Sequence, residues 1–315
     1  MVVSLALLAL GVLTAVVAPR LLSRSDWAER EPVVALWVWQ CVVAGVLLSF
    51  ALSMTFSAAA AWQVVRGRVF APAPRGVLEA YELGAGRPWS AVLAVALACG
   101  GLWSGAMLGR EIGRARARRR QRRGELLRRS PLLPGEEQES GSGRERLVVL
   151  EGERSDAWLL PGPAPQLVVT TAALRRLKGR QLDAVLAHEQ GHARARHDWL
   201  RHCSGALATG FPGIPVFAAF RDEMHRLVEL AADDVASRRF GRLTIALALV
   251  ELNEDRGVFG PGTTPDADLP RRVDRLLRAA PRFTAGRRLR LTAAAALVPV
   301  VPVLVAFVPA LRALG

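Results

Sequence analysis

The sequence predicts a mainly α protein in which four transmembrane helices carry a compact α+β domain with a small β-sheet. Three observations lead there. Four stretches are long and apolar enough to cross a bilayer, which takes about 20 residues as helix. The apolar and basic residues are segregated along the chain, so that 51% hydrophobic content coexists with a formal charge of +14. Between Arg146 and Arg290, short β-like runs give way to helical periodicity of the kind a folded domain carries.

The first apolar stretch is Val2–Ala18. It lacks a basic start, and Pro19-Arg20 is a poor cleavage site, so it reads as a retained helix and not a removed signal. The second runs uncharged from Val33 to about Ala61, the third from Pro88 to Gly109. The fourth, Leu291–Leu311, has three prolines and is expected to bend. Residues 1–109 are thus expected to form a membrane unit of three helices, 110–145 a basic juxtamembrane segment and linker, 146–290 the folded domain, and 291–315 the fourth helix with a short tail.

Lysine and arginine decide which side is cytoplasmic. Arg110–Arg129 holds ten arginines against two glutamates directly after the third span. With this block inside, the domain is cytosolic and both termini are extracytoplasmic. Arg282, Arg287, Arg288 and Arg290 before the fourth span agree; the Arg66–Arg87 loop, with four arginines and two glutamates, pulls weakly the other way. The block has no interleaved aromatics, so anionic lipid is its expected partner and direct nucleic-acid binding is not expected. The three cysteines have no metal-type spacing, and no disulfide framework is expected.

The domain opens with RLVVLE and QLVVTT, two β-like runs joined through the turn-rich PGPAP. TAALRRLKGRQLDAVLAHEQGHARARHDWL reads as two helices broken near Gly179. RDEMHRLVELAADDVASRRF, RLTIALALVELN and RRVDRLLRA are further helices. Cys203–Phe220 is apolar with two prolines and three glycines, and contact with the membrane is its favoured reading over core or gate.

The chemistry is concentrated in AVLAHEQGHARARHDW (Ala184–Trp199), where His188-Glu189-x-x-His192 follows an apolar run. On a helix, residues i and i+4 share a face, so His188 and His192 are able to place two imidazoles on one cation. Glu189, next to the first ligand, leans over the open side and serves as general base for a metal-bound water. H-E-x-x-H turns up by chance in many unrelated chains, so the setting matters: the apolar DAVLA runs straight into it, as expected of a helix buried under an active-site floor.

A catalytic zinc needs a third protein ligand and an open fourth position. Three residues compete. His197 lies five residues after His192 and points away from it. His225 sits one turn before Glu229 on a later helix. Glu229 begins ELAAD, with Asp233 one turn on, so that one carboxylate ligates while the other accepts the N–H of a ligating histidine. This arrangement favours Glu229 over His225; taken alone, ELAADD is an ordinary acidic helix face.

LVVTTAALRRLKGRQLDAVLAHEQGHARARHDWL, then ELAADDVA, then RRVDRLL, resembles the BlaR/MecR-type membrane metallopeptidases, metallopeptidase family 56, over about Leu167–Leu277. The resemblance implies a zincin-like (gluzincin) domain with one Zn2+ per chain. Its ligands are His188, His192 and Glu229, with Glu189 as catalytic base and Asp233 behind a ligand. It also implies a zinc endopeptidase acting at the cytosolic face on a peptide or protein substrate, such as a transcriptional repressor in signal transduction. The large extracellular sensor of the antibiotic-sensing members has no counterpart after Leu311. The HtpX and CAAX-protease families share H-E-x-x-H and a similar E-x-x-x-D, and give the rival reading of a membrane quality-control peptidase.

Substrate is expected to dock as an added strand, with QLVVTT the favoured edge. His197, His202, Arg194 and Arg271 are candidate donors to the developing oxyanion. A reading of another class is a non-enzymatic membrane scaffold with a closed, four-ligand metal site or none.

Overall fold

The computed structural model describes residues 2–23, 25–66, 88–129, 146–153, 155, 157–160, 166–253, 269–278 and 281–314. The expected Arg66–Arg87 loop beyond Arg66, the Ser130–Arg144 linker and the PGPAP turn lie outside the described residues. Twelve helices and three strands are described in the order α1 (Val2–Leu22), α2 (Trp27–Arg30), α3 (Pro32–Arg66), α4 (Pro88–Arg129), β1 (Arg146–Leu150), β2 (Ala157–Leu160), β3 (Gln166–Thr170), α5 (Thr171–Arg176), α6 (Arg180–Arg194), α7 (His197–Gly210), α8 (Pro215–Phe240), α9 (Arg242–Asn253), α10 (Leu269–Leu277), α11 (Ala285–Leu297) and α12 (Val300–Leu314).

Among the described residues two helices are long and apolar enough to cross a membrane, Val2–Leu22 and Pro32–Ala59. A third is reached if Ala285–Leu297 and Val300–Pro309, bent by 42°, count as one span. The bend falls at Val298-Pro299, where proline lacks the N–H that would continue the ladder. The third expected span is the first part of α4, several of whose side chains lie outside the described residues. The same helix continues through the arginine block to Arg129.

Helix α1 packs antiparallel on α3, with Ser53 Oγ donating to the Ser4 carbonyl at 2.7 Å. The close approach needs small residues. A Cβ added at Gly11 would sit 3.1 Å from Ser49 Cβ, and one at Gly45 would sit 3.0 Å from Val298 Cγ1. The N-terminal half of α3 then turns from lipid to protein. Ala35, Leu36, Trp39, Val42, Val43 and Val46 share one core with Leu200 and Leu207 of α7, and with Phe217, Phe220 and Met224 of α8. The parts of the spans that meet this core are the C-terminal end of α1, through Ala15, Ala18 and Leu22, and the N-terminal half of α3.

Cys203–Phe220 divides between the end of α7 and the start of α8. Val216, Phe217 and Phe220 are buried against α3, and Gly210 lies against Leu108 of α4. Its apolar character is used in protein packing against the spans.

The three strands form one sheet in the order β1-β3-β2, with β1 parallel and β2 antiparallel to β3. This corrects the expectation for QLVVTT. It forms β3, the central strand, both edges of which are taken, with Val168 and Val169 buried on its two faces. The outer strand next to the H-E-x-x-H helix is β2, whose AWLL is too short to have stood out in the sequence.

Phe217 is 1% exposed at the junction of the spans and the site-bearing helices. Phe217→Ala is expected to destabilise the protein by about 3–5 kcal/mol through the cavity it leaves. Thermal melting of the detergent-solubilised protein checks this, with Leu247→Ala, half-exposed on α9, expected to melt like the parent.

Candidate metal centre

Thr170 ends β3 and caps α5, accepting from the Ala173 N–H at 3.2 Å. Gly179, at φ 52°, then resets the chain for α6. The expected break near Gly179 is thus present. Ala184 and Ala187 pack one side of α6 against Ala236 and Ile245, and Val185 packs with Val169 and Ala248. His188 and His192 project from its remaining face toward α8.

A second break was not legible. HARARHDWL is not continuous helix: Arg196 takes a left-handed conformation, φ 52°, and His197 starts α7. No glycine or proline marks the turn. It brings buried His197 back so that its Nδ1 lies 2.9 Å from His192 Nδ1. His197 therefore sits behind His192, on the side away from Glu229.

One ligand atom each from His188, His192 and Glu229 lie within 4.8 Å of one another. The two Nε2 atoms are 3.1 Å apart. Glu229 Oε2 is 3.4 Å from His188 Nε2, and Oε1 is 3.4 Å from His192 Nε2. A tetrahedral ion with bonds of 2.0–2.1 Å has ligand–ligand edges of about 3.3–3.4 Å. The three residues fit a single Zn2+.

Asp233 is fully buried one turn after Glu229, with Oδ1 3.0 Å from His188 Nδ1. Arg272 of α10 donates to both Asp233 oxygens, Nε at 2.9 Å and Nη2 at 2.7 Å, and its Nη1 pairs with Glu229 at 2.9 Å. Arg201 of α7 donates to the other Glu229 oxygen. Burial alone would lower the His188 pKa, but the Asp233 and Glu229 carboxylates outweigh it and raise the imidazole to about 10. The same burial lowers His192 well below its ordinary value, reinforced by His188 and Arg201. Burial would raise Asp233, yet Arg272 and His188 bring it down to about 2. His197 falls to about 4 through burial and Arg201. The pocket is built to hold a cation between His188, His192 and Glu229.

The other expected residues divide cleanly. Glu189 lines a cavity of about 150 Å³ together with His188, Glu229, Arg272 and Ala157 at the β2 edge. His225 is exposed on α8 and does not join the cluster among the described residues. Arg194 and Arg271 are exposed, and His202 Nδ1 lies against the Asp198 carbonyl at 2.8 Å. The arginines that reach the site are Arg201 and Arg272, which pair with Glu229 and Asp233. Each is one of many arginines, and only the folded helices distinguish them.

The model of peptidase family M48 matches residues 121–280. A crystal structure of S. mikatae Ste24p is similar over 88% of this chain and 99% of that one, at 14% identity and a TM-score of 0.33. No curated protein matches the chain. The family match overturns the resemblance to metallopeptidase family 56. The motifs that carried that resemblance, H-E-x-x-H and a carboxylate followed one turn later by another, are what the metal demands. They recur wherever this ligand set is built and do not separate the families.

Glu229→Ala is expected to lower the zinc content of purified protein from about one ion per chain toward none, as expected when one of three ligands is lost. His225→Ala is expected to keep it. Metal analysis of the two variants checks both.

Proposed function

The chain belongs to peptidase family M48, and on that premise we propose that it is a membrane-bound zinc endopeptidase of the quality-control kind, cleaving protein segments presented at the membrane surface. The observation that supports the reading is the convergence of His188, His192 and Glu229 on one point beside Glu189 and the β2 edge, within helices that pack directly on the spans. Family membership also sets aside the non-enzymatic scaffold. Cleavage of a transcriptional repressor was attached to the family 56 resemblance and loses its support with it.

Zn2+ held by His188, His192 and Glu229 supplies a Lewis acid and a water activated at neutral pH. Glu189 takes the proton of the attacking water and delivers it to the leaving amine nitrogen. The Asp233 carboxylate, 3.0 Å from His188 Nδ1, stands behind that imidazole and leaves Nε2 toward Glu229, while Arg272 holds Asp233 in place. Arg201 and Arg272 set the two oxygens of Glu229. An extended substrate adds to the sheet along β2, whose far edge is unpaired among the described strands. The shift from β3 to β2 puts the docked chain beside the cavity that Glu189 lines.

The catalytic helices occupy the cytosolic side and both termini the opposite one, as the arginine block after the third span favours. Protease added to sealed inside-out vesicles is expected to cut the chain between Arg180 and Arg278, and protease added to right-side-out vesicles to leave that region intact.

Glu189→Gln is expected to retain zinc and fold while losing about 10²–10⁴-fold in peptide cleavage, the range general base catalysis supplies. Single-turnover cleavage of an unfolded protein substrate, alongside metal analysis, checks it. A variant as fast as the parent removes Glu189 from the mechanism.

A further inference from the structure

A second cavity, of about 330 Å³, lies away from the metal centre, between the α1–α3 connector and α10. Its volume is in the range small ligands occupy, about 300–1,000 Å³. Six arginines and four carboxylates line it, so guanidinium is in excess. Much of this charge is internally matched. Asp234 pairs with Arg275 and Arg282, each at 2.8 Å, and Asp274 pairs with Arg278 at 2.7 Å. The Glu29 carboxylate is turned to Arg226 at 3.1 Å. The remaining lining charges are Arg30, Arg242 and Arg271, from three separate elements, against one further carboxylate, Asp26. Arg242 is also the first residue of α9.

The position of the cavity says what kind of anion it meets. The apolar exposed face of α1 continues to Leu21, 67% exposed, one turn before the connector. On α11, Leu289 is 70% exposed just after the loop that bears Arg282. That loop is fastened to the connector by Trp27 stacking on Phe283 and by Arg288 on Glu31 at 2.7 Å. The cavity thus lies near the ends of two helices with exposed apolar residues; with those helices spanning a bilayer, it would meet the headgroup phosphates.

We propose that this cavity binds a phosphate group through Arg30, Arg242 and Arg271, the headgroup of an anionic phospholipid being the source that its position favours. Guanidinium pairs of this kind suit phosphate oxygens, which accept two parallel N–H donors. Occupancy ties the connector to α10, the helix that also carries Arg272 into the metal centre.

The test uses the full chain in detergent, with phosphatidylglycerol, phosphatidylcholine or inorganic phosphate added and bound ligand counted by native mass spectrometry. Phosphatidylglycerol is expected to bind in preference to phosphatidylcholine. The triple variant Arg30→Gln, Arg242→Gln, Arg271→Gln is expected to lose that binding by on the order of a hundredfold, about fivefold per arginine. Binding of inorganic phosphate without the lipid, lost in the same variant, supports the phosphate site and assigns it a soluble ligand. Equal binding of both lipids with no phosphate bound, or anionic binding unchanged in the variant, overturns the proposal. Zinc content reports separately on the metal centre. Should the triple variant fail to fold, Arg30→Gln, at an exposed position on the four-residue α2, reads the same loss about fivefold.

Discussion

Helix α8 must bury three carboxylates within six residues, and most of the structure follows from that demand. Glu229, Asp233 and Asp234 lie on the helix that also fills the core with Phe217, Phe220 and Met224. An ion taken out of water without compensation costs several kcal/mol. Each acid is therefore met by cations from other elements: Glu229 by Arg201 of α7 and Arg272 of α10, Asp233 by Arg272 and His188, Asp234 by Arg275 of α10 and Arg282. The arginines fix where α7 and α10 stand, and through them the sides of the cleft. An apolar helix would have packed as well but left these neighbours without a defined register.

The same helix joins catalysis to the membrane. Its first two turns pack against α3 at Trp39, and the turns that follow carry the metal-site acids. The apolar core shared by α3 and α8 runs on to Val228 and Leu230, the residues on either side of Glu229. The spans are consequently part of the enzyme's framework and not a detachable anchor. The connector adds a polar tie, with Glu29 on Arg226 and the Arg275 guanidinium donating to the Glu29 carbonyl at 2.6 Å.

Periodicity and spacing disclosed the parts whose causes are local. Apolar runs gave the helices at Val2–Leu22 and Pro32–Ala59, Gly179 gave the break before α6, and the i, i+4 relation placed His188 and His192 together. Glu229 was readable because a carboxylate four residues before another implies a ligand with a supporting acid, and its contacts with His188 and with Asp233's neighbour Arg272 have that form. What was hidden is nonlocal. Strand β2 is four residues long and exists through its pairing with β3, and the αL turn at Arg196 is imposed by packing on a residue with no turn preference. Arg201 and Arg272 are indistinguishable from forty other basic residues until the helices are assembled. The resemblance to family 56 fails for a related reason: the shared motif encodes the metal's coordination needs and carries little about ancestry.

The arginines at the metal centre also bear on why a hydrolytic site tolerates so much acid. Glu189 and Glu229 line the cleft with Asp233 buried behind it, three carboxylates in all, and Arg201 and Arg272 return two positive charges. The balance is a single negative charge, and a divalent ion held by His188, His192 and Glu229 would leave the centre net positive. Transition states of peptide hydrolysis place negative charge on the former carbonyl oxygen, and fixed positive charge in a water-poor site stabilises it most effectively. With neutral side chains at 201 and 272 the same ion would leave the centre net negative, opposed to the charge it has to accept. The guanidiniums that allow α8 to bury its acids are thus also what makes the cleft's electrostatics match the reaction.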